Sequence, residues 1–219
     1  MIKCVAFDFD GTLVDSNHIK QHAFYDAVAH LPGAEAVIAA VLRDAPGDRY
    51  QIFERFTADW NRQARSGSTA VQASSLSEAY TRHCEDAIAS SSEFPGAAQL
   101  LSSLNASGVS TALVSATPSA PLEALIIRKQ WRDRFAHIIG GATDKAFGLR
   151  ELARREGVQA TALVMIGDRQ VDQDGATAVG CAFIGVRRAD NDFTVQPRLM
   201  VDDLTEVTGL LDRLGGSAT

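Results

Sequence analysis

Two aspartates separated by a single residue carry the clearest chemical signal in the chain. Asp8 and Asp10 follow an apolar run, Val5 to Phe7, at the point where the run breaks into a glycine turn at Gly11. An aspartate carboxylate is a competent nucleophile, and a second acid beside it can exchange protons with the leaving and attacking oxygens. The spacing predicts covalent hydrolysis at phosphorus through an aspartyl intermediate. A plain turn or a helix N-cap is the structural alternative.

Short apolar runs that recur along the chain predict the sheet that positions these acids. Most of the runs are apolar throughout, which is typical of parallel strands covered on both faces. Helical patterns lie between several of them, so strand and helix alternate from Pro95 onward. We therefore expect an α/β fold with a doubly wound, Rossmann-like parallel sheet. The predicted strands are Ile2 to Phe7, Val109 to Val114, His137 to Ile139, Ala162 to Ile166, Cys181 to Val186 and Leu199 to Val201.

Residues 16–92 interrupt this alternation and show apolar residues at helical spacing. We predict a second, smaller, all-helical domain over 16–92, inserted into a catalytic core formed by 1–15 and 93–219. The segment Ala64 to Ser77 is poor in large apolar residues and predicts a loop inside the insertion. An aromatic stripe is expected to be core rather than a ligand box. Two of the predicted stripes are Tyr50, Phe53, Phe56 and Trp60, and Leu76, Tyr80, Cys84 and Ala87.

Composition narrows the class of protein. The 219 residues carry 27 acidic and 21 basic side chains, for a net charge of −6. No lysine- or arginine-rich block occurs, which argues against a nucleic-acid partner and favours a small-molecule substrate. No signal sequence or membrane-spanning run is apparent, and the three cysteines are far apart. We expect a cytoplasmic protein with no membrane partner, while the oligomeric state stays open.

Polar groups follow three further predicted strands. Because the carboxyl ends of the strands form the ligand-binding edge of an α/β sheet, these groups are expected to gather there. Ser115 to Pro118 offers a hydroxyl and turn amides for a phosphate oxygen, and Lys145 offers one ammonium. Asp168 and Asp172 are four residues apart, where a helix begins. Capping alone could account for these two acids, and Ser115 and Lys145 could be ordinary turn and surface residues.

Together these motifs resemble the haloacid dehalogenase-like hydrolase superfamily, in a phosphatase-type member with a helical cap inserted after the first strand. Asp8 to Ser16 matches the first motif, Ser115 the second, Lys145 the third, and Gly167 to Asp172 the fourth. All four motifs occur in order, and the resemblance covers nearly the full chain. The third motif departs from the common lysine-proline form because Ala146 follows the lysine.

The resemblance implies a role for each matching residue. Asp8 would attack phosphorus, and Asp10 would protonate the leaving alcohol and then activate water. Ser115, Ala116 and Lys145 would bind the phosphoryl oxygens.

The resemblance also implies a magnesium ion. Asp8, the backbone carbonyl of Asp10, and Asp168 would bind Mg²⁺ directly, while Asp172 would act through water or by orienting the ligands. Magnesium prefers oxygen ligands and neutralises charge on a transferring phosphoryl group. Without a cation, several acids at one sheet edge would repel one another and partly protonate.

Three residues outside these motifs are assigned more loosely. His18 and Lys20, just past the first predicted hinge, are candidate specificity residues for the leaving group. Arg169 stands where relatives commonly have a small hydroxyl residue, and it either contacts substrate or reaches solvent, with solvent favoured.

The leading prediction is a magnesium-dependent phosphatase that acts on a small phosphorylated metabolite, with the cap closing over the leaving group. A sugar phosphomutase of the β-phosphoglucomutase kind is the alternative, because it would retain all four motifs. A phosphonate or haloacid hydrolase, or a non-catalytic binding module, is less favoured. Asp10 and Asp168 count against the haloacid hydrolase, and the binding module would be expected to have lost an acid.

Overall fold

The computed structural model describes residues 1–44, 47–63 and 70–216. The chain divides into two compact units. Met1–Ser16 and Ser91–Thr219 form the first, here the core unit, and Asn17–Ser90 forms the second, here the helical unit. Among the described residues, every helix is too short or too polar to cross a membrane. The predicted cytoplasmic location stays a prediction.

The core unit is built on a parallel sheet. Its six described strands follow the order β3-β2-β1-β4-β5-β6, so the first strand lies in the middle and Phe7 pairs with both Leu113 and Ile166. The predicted fold class is confirmed, and each strand begins and ends within two residues of its predicted bounds. The strands are β1 Cys4–Phe7, β2 Ser110–Val114, β3 His137–Ile139, β4 Leu163–Gly167, β5 Ala182–Val186 and β6 Met200–Val201.

Helices connect the strands, and helices of the core unit pack on the sheet. In the helical unit they are α1 Asn17–Val28, α2 Ala34–Asp44, α3 Arg49–Gln63 and α4 Ala73–Ser90. In the core unit they are α5 Ala97–Ala106, α6 Ser119–Arg128, α7 Lys145–Glu156, α8 Gln170–Val179 and α9 Val207–Gly216.

Side chains of β1 show why the strands are apolar throughout. Cys4 and Ala6 pack in one buried cluster with Leu149 of α7 and residues of α8. Residues at alternate positions point to the opposite face of the sheet, and there Val5 and Phe7 are also fully buried. Both faces are therefore covered, and no polar residue is tolerated until the strand ends at Asp8.

Within the helical unit, aromatic rings form the centre of the packing. Phe24 lies 4.5 Å from Tyr80 and 5.4 Å from Phe53 between ring centroids. The expectation that the aromatic stripe is core holds for Phe53 and Phe56, which are fully buried. It is wrong for Tyr50, which is half exposed.

Two other predicted features of the helical unit differ from the structure. The apolar stripe predicted from Leu76 to Ala87 lies in α4. It continues through Ile88, which is buried, and not through Ala87, which is exposed. The predicted loop from Ala64 to Ser77 is wrong at its end, because α4 already begins at Ala73. Residues 64–69 of that loop lie outside the described residues.

Candidate active site

A buried lysine contacts two of the predicted acids. The Lys145 ammonium donates a hydrogen bond to Asp8 Oδ1 at 2.6 Å and lies 2.9 Å from Asp172 Oδ1. It also donates to the carbonyl of Val114, at the end of β2. Lys145 is 4% exposed and Asp172 is fully buried. The ends of β1 and β2 and the first turns of α7 and α8 therefore meet at one ion-pair cluster.

Two glycines make this approach possible. A Cβ on Gly175 of α8 would stand 2.5 Å from Lys145 Cβ and 3.1 Å from the Ala146 nitrogen. A Cβ on Gly167 would stand 2.4 Å from Asp172 Oδ2. Real Cβ atoms do not come this close to other atoms, so both positions require glycine for the lysine and the aspartate to reach their places.

Asp172 is held by groups on both of its oxygens. Oδ2 accepts a hydrogen bond from the Arg169 amide at 3.1 Å, which caps the start of α8, while Oδ1 faces Lys145. The capping interpretation of Asp172 and its place in the acidic cluster are therefore both true. Oδ1 is thus paired with Lys145 by charge and accepts no well-aligned hydrogen bond from the described residues.

Asp168 lies directly after β4 and is fully buried. The Thr12 hydroxyl donates to its Oδ1 at 2.9 Å, and Nε of Arg169 lies 3.6 Å from its Oδ2. The side chain of Asn191 donates to the Asp168 carbonyl at 2.6 Å. Both the backbone and the carboxylate of Asp168 are thus oriented by neighbours on other strands or loops.

Asp10 has a different environment from Asp8. The Ser16 hydroxyl donates to Asp10 Oδ1 at 2.6 Å, and the Thr117 hydroxyl donates to Oδ2 at 3.0 Å. The Thr117 amide in turn donates to the hydroxyl of Ser115, which is buried. The first and second motifs are therefore joined by hydroxyl groups.

Burial and mutual repulsion govern the protonation of the acids. Burial, opposed by Lys145 and reinforced by Asp172 and Asp10, raises the pKa of Asp8 to about 6. Burial, together with Asp8 and Asp172, raises the pKa of Asp168 to about 7. Burial alone would lower the pKa of Lys145, but the charges of Asp8 and Asp172 outweigh it and raise that pKa. The cluster carries more negative charge than Lys145 offsets.

The donor set fits a hard divalent cation. Carboxylate oxygens of Asp8, Asp168 and Asp172 all lie within 4.8 Å of one another, and all three residues are buried. Magnesium and calcium bind oxygen ligands, and a cation would compensate the charge that otherwise raises the pKa of Asp8 and Asp168. The residues present therefore suit the metal that the sequence predicts.

The roles of the remaining predicted residues stay predictions. Ser115 is buried directly after β2, and Ala116 beside it is exposed. His18 and Lys20 lie in the first turns of α1, within the helical unit.

Arg169 differs from expectation. Its guanidinium donates to the carbonyl and to the carboxylate of Asp190, both at 3.0 Å, instead of simply reaching solvent. Asp192 also accepts from the Gln170 amide at 2.7 Å. The segment after β5 is therefore bound to the fourth motif.

Sequence reasoning missed several polar residues of the site. A signal existed for some of them, since a hydroxyl residue inside a motif or a polar residue just beyond a strand end can bond to a neighbouring strand. Most of their partners, however, lie far away in the sequence, although Ser16 bonds a near neighbour, Asp10. The missed residues are Thr12, Ser16, Thr117, Arg188 and Asn191.

Comparison with known proteins gives a family and two groups of relatives. A family model described as haloacid dehalogenase-like hydrolase matches residues 2–180. A phosphoglycolate phosphatase of Synechococcus elongatus is 30% identical over 200 residues, covering 87% of this chain and 86% of that protein. A phosphoglycolate phosphatase of Rhodospirillum rubrum is 31% identical over 190 residues, covering 82% and 77%.

Solved structures show the same fold. The crystal structure of a predicted phosphoglycolate phosphatase from Haemophilus somnus has a TM-score of 0.77 at 20% identity, covering 96% of this chain and 98% of that one. CbbY from Rhodobacter sphaeroides, in complex with phosphate, has a TM-score of 0.75 at 20% identity, covering 94% and 96%. The family match over most of the sequence confirms what the four motifs predicted: the chain belongs to the haloacid dehalogenase-like hydrolases.

Proposed function

We propose that this protein is a phosphatase that hydrolyses the monoester of a small phosphorylated metabolite through an aspartyl-phosphate on Asp8. The main support is the buried cluster at the end of β1. There Lys145 donates a hydrogen bond to Asp8, and the carboxylates of Asp168 and Asp172 lie close to that of Asp8. The phosphatase class is further supported by the relatives in Synechococcus and Rhodospirillum, which are named phosphoglycolate phosphatases. Phosphoglycolate is therefore the first substrate to test.

Asp8 acts as the nucleophile. Lys145 binds its Oδ1, which leaves Oδ2 to attack phosphorus as the bond to the leaving alcohol oxygen breaks. Water then attacks the phosphorus of the aspartyl-phosphate, and inorganic phosphate and the free carboxylate are the products. The ammonium keeps a positive charge beside the transferring group throughout, because the charges of Asp8 and Asp172 raise its pKa.

Asp10 acts as the proton carrier. It gives a proton to the leaving alcohol oxygen and later accepts one from the attacking water. The hydroxyls of Ser16 and Thr117 donate to its two carboxylate oxygens and so orient it. Because this environment differs from that of Asp8, it supports different roles for two acids that are separated by a single residue.

Phosphoryl oxygens are proposed to bind at the end of β2. The hydroxyl of Ser115 and the exposed residue Ala116 are the groups available there, and the Lys145 ammonium, which bonds Asp8 and the Val114 carbonyl, adds positive charge beside them. Hydrogen-bond donors fixed in advance stabilise the charge that develops on the transferring group.

Asp8, the Asp10 carbonyl and Asp168 are proposed to hold Mg²⁺, with Asp172 orienting them. When bound, the ion supplies charge neutralisation for the phosphoryl oxygens. Mg²⁺ is favoured because all donors are oxygens and the acids outnumber the cationic groups at the site.

The helical domain predicted over 16–92 is proposed to act as a cap that excludes water during the reaction. The division of the chain into a core unit and a helical unit supports a separate cap. His18 and Lys20, at the start of α1, are the proposed contacts to the leaving group.

Phosphate release tests the proposal. Purified protein is assayed with phosphoglycolate, sugar phosphates, nucleotides and p-nitrophenyl phosphate, each with Mg²⁺ and with EDTA. We expect magnesium-dependent phosphate release from at least one small monoester. An isomerised sugar phosphate without free phosphate would assign a mutase instead, and inactivity toward the whole panel would count against a phosphatase.

A further inference from the structure

Arg188, two residues beyond β5, reaches back to the first motif. Its Nε donates a 2.8 Å hydrogen bond to the carbonyl of Gly11, and Nη2 lies 3.5 Å from the carbonyl of Thr12. These residues are 177 and 176 positions apart in the sequence, so the contact is purely tertiary. Gly11 has a φ of 77°, which is the left-handed region. The guanidinium thus fixes the turn that follows the proposed nucleophile.

The guanidinium is itself held in place on its other sides. Its central carbon lies 3.5 Å from the ring centroid of Phe94, which is stacking distance. Phe94 donates its amide to the carbonyl of Leu13, in the same turn segment. The Arg188 amide donates to Asn191, whose side chain also donates to the carbonyl of Asp168. A planar group with this many contacts has little freedom to reorient.

Thr12 transmits this restraint to the acidic cluster. Its hydroxyl is fully buried and donates to Asp168 Oδ1 at 2.9 Å. Because the Thr12 carbonyl and the preceding Gly11 carbonyl are held, the direction of the hydroxyl is held as well.

We propose that Arg188 is a positioning residue for the cation site, which holds the Gly11–Thr12 turn so that the Thr12 hydroxyl orients the carboxylate of Asp168. This inference rests on the proposed function, in which Asp168 binds Mg²⁺. Groups that orient a metal ligand without touching the metal change affinity or activity by about 10- to 100-fold when removed.

A purely electrostatic role for Arg188 makes the opposite prediction. Burial lowers the pKa of Arg188, and the charges of Asp168 and Asp15 partly oppose that shift, so the arginine and the cluster interact through space. Removing that positive charge would by itself strengthen the binding of a divalent cation. Losing the orientation of Asp168 would weaken it. The sign of the change therefore distinguishes positioning from charge.

The test is Mg²⁺ binding measured by titration calorimetry on the full chain. Arg188→Met keeps an apolar side chain against Phe94 and removes every donor. We expect a Kd for Mg²⁺ about tenfold or more above the parent value, a lower kcat, and a substrate KM at saturating Mg²⁺ within about twofold of the parent. Arg187→Met is the matched control, because Arg187 is exposed and pairs with Asp202; its Kd is expected to stay unchanged.

Two further variants keep the test decisive if Arg188→Met folds poorly. Arg188→Lys retains the charge, but an ammonium cannot span the two carbonyls while stacking on Phe94, so its Kd should also rise. Thr12→Val removes the hydroxyl that Arg188 is proposed to act through. The effects of Arg188→Lys and Thr12→Val on the Kd should therefore fall short of additive when combined.

Each result has a defined meaning. Tighter or unchanged Mg²⁺ binding by folded Arg188→Met, a parent-like Kd for Arg188→Lys, or full additivity with Thr12→Val would each reject the positioning role while leaving the proposed function intact. A parent protein that binds no Mg²⁺ would reject the metal site and this inference together.

Discussion

Asp8 and Asp10 are separated by a single residue, yet their side chains have different partners. Asp8 faces an ammonium and two further carboxylates, whereas Asp10 is held by the hydroxyls of Ser16 and Thr117. An ion pair favours the charged form that a nucleophile needs, while hydroxyls can both donate and accept as a proton moves. The two environments therefore support the proposal that these chemically identical side chains have different roles.

Asp8→Asn tests the nucleophile. The amide keeps an oxygen that can accept the hydrogen bond from Lys145, so the fold should persist, but the amide oxygen is a poor nucleophile. We expect kcat to fall by about a thousandfold or more, measured as released phosphate, with an unchanged circular dichroism spectrum.

Asp174→Asn is the matched control for that substitution. Asp174 is an exposed acid of α8 that bonds Gln170, and its loss should leave kcat within about twofold of the parent. Turnover by Asp8→Asn close to the parent rate would mean that another group attacks phosphorus.

At the scale of elements, the site depends on how closely α7 and α8 approach each other. Lys145 begins α7 and Asp172 lies in the first turn of α8, and their contact requires the helices to meet where Gly175 has no side chain. Asp144 caps α7 by accepting from the Phe147 amide, which fixes where the helix begins and so where Lys145 points.

Gly175→Ala tests this packing. The added methyl would meet Lys145 Cβ and the Ala146 backbone, so α7 must shift. We expect a loss of about 1–3 kcal/mol in the free energy of unfolding and a reduced kcat, because the Lys145 ammonium moves with its helix. Denaturant unfolding and phosphate release measure the two effects.

Gly209→Ala serves as its control. Gly209 lies in α9, and nothing stands within 4 Å of the position that its Cβ would take. Alanine should stabilise this helix by up to about 1 kcal/mol without changing turnover. Equal responses at positions 175 and 209 would show that the close approach of α7 and α8 has no special role.

At the scale of the whole molecule, stability and cation binding are linked through the acids. Asp8 and Asp168 have pKa values raised from 3.8 to about 6 and about 7. A carboxyl with a higher pKa in the folded chain binds more protons folded than unfolded, so stability falls as pH rises through this range. A cation that binds only the folded state opposes that loss.

Thermal unfolding in EDTA tests this linkage. As the pH rises from about 5 to about 8, the Tm of the metal-free protein should fall because these two acids lose their protons. Mg²⁺ should raise the Tm more at the higher pH, where its binding displaces fewer protons. The Asp8→Asn, Asp168→Asn double variant isolates the effect, since its Tm should depend less on pH and on Mg²⁺. An identical pH dependence in the parent and the double variant would contradict the linkage.

Much of this architecture could be predicted from sequence because its signals are local. Buried strands are mostly apolar, and all six described strands lie within two residues of their predicted bounds. Parallel strands bring their carboxyl ends to one edge, so the residues that follow β1 and β4 were expected to meet there. The amphipathic stripes were less reliable, because Tyr50 and Ala87 fit the helical period but lie outside the packed face.

Most partners of the site acids come from distant parts of the sequence. Thr12 and Asp168 are 156 residues apart, and Arg188 and Gly11 are 177 apart, so no local pattern relates them. Which residues end each strand can be read from local sequence, because burial restricts side-chain type one position at a time. Which donors surround each carboxylate depends on how the strand ends and helix starts pack together, and those distances exist only in the folded chain.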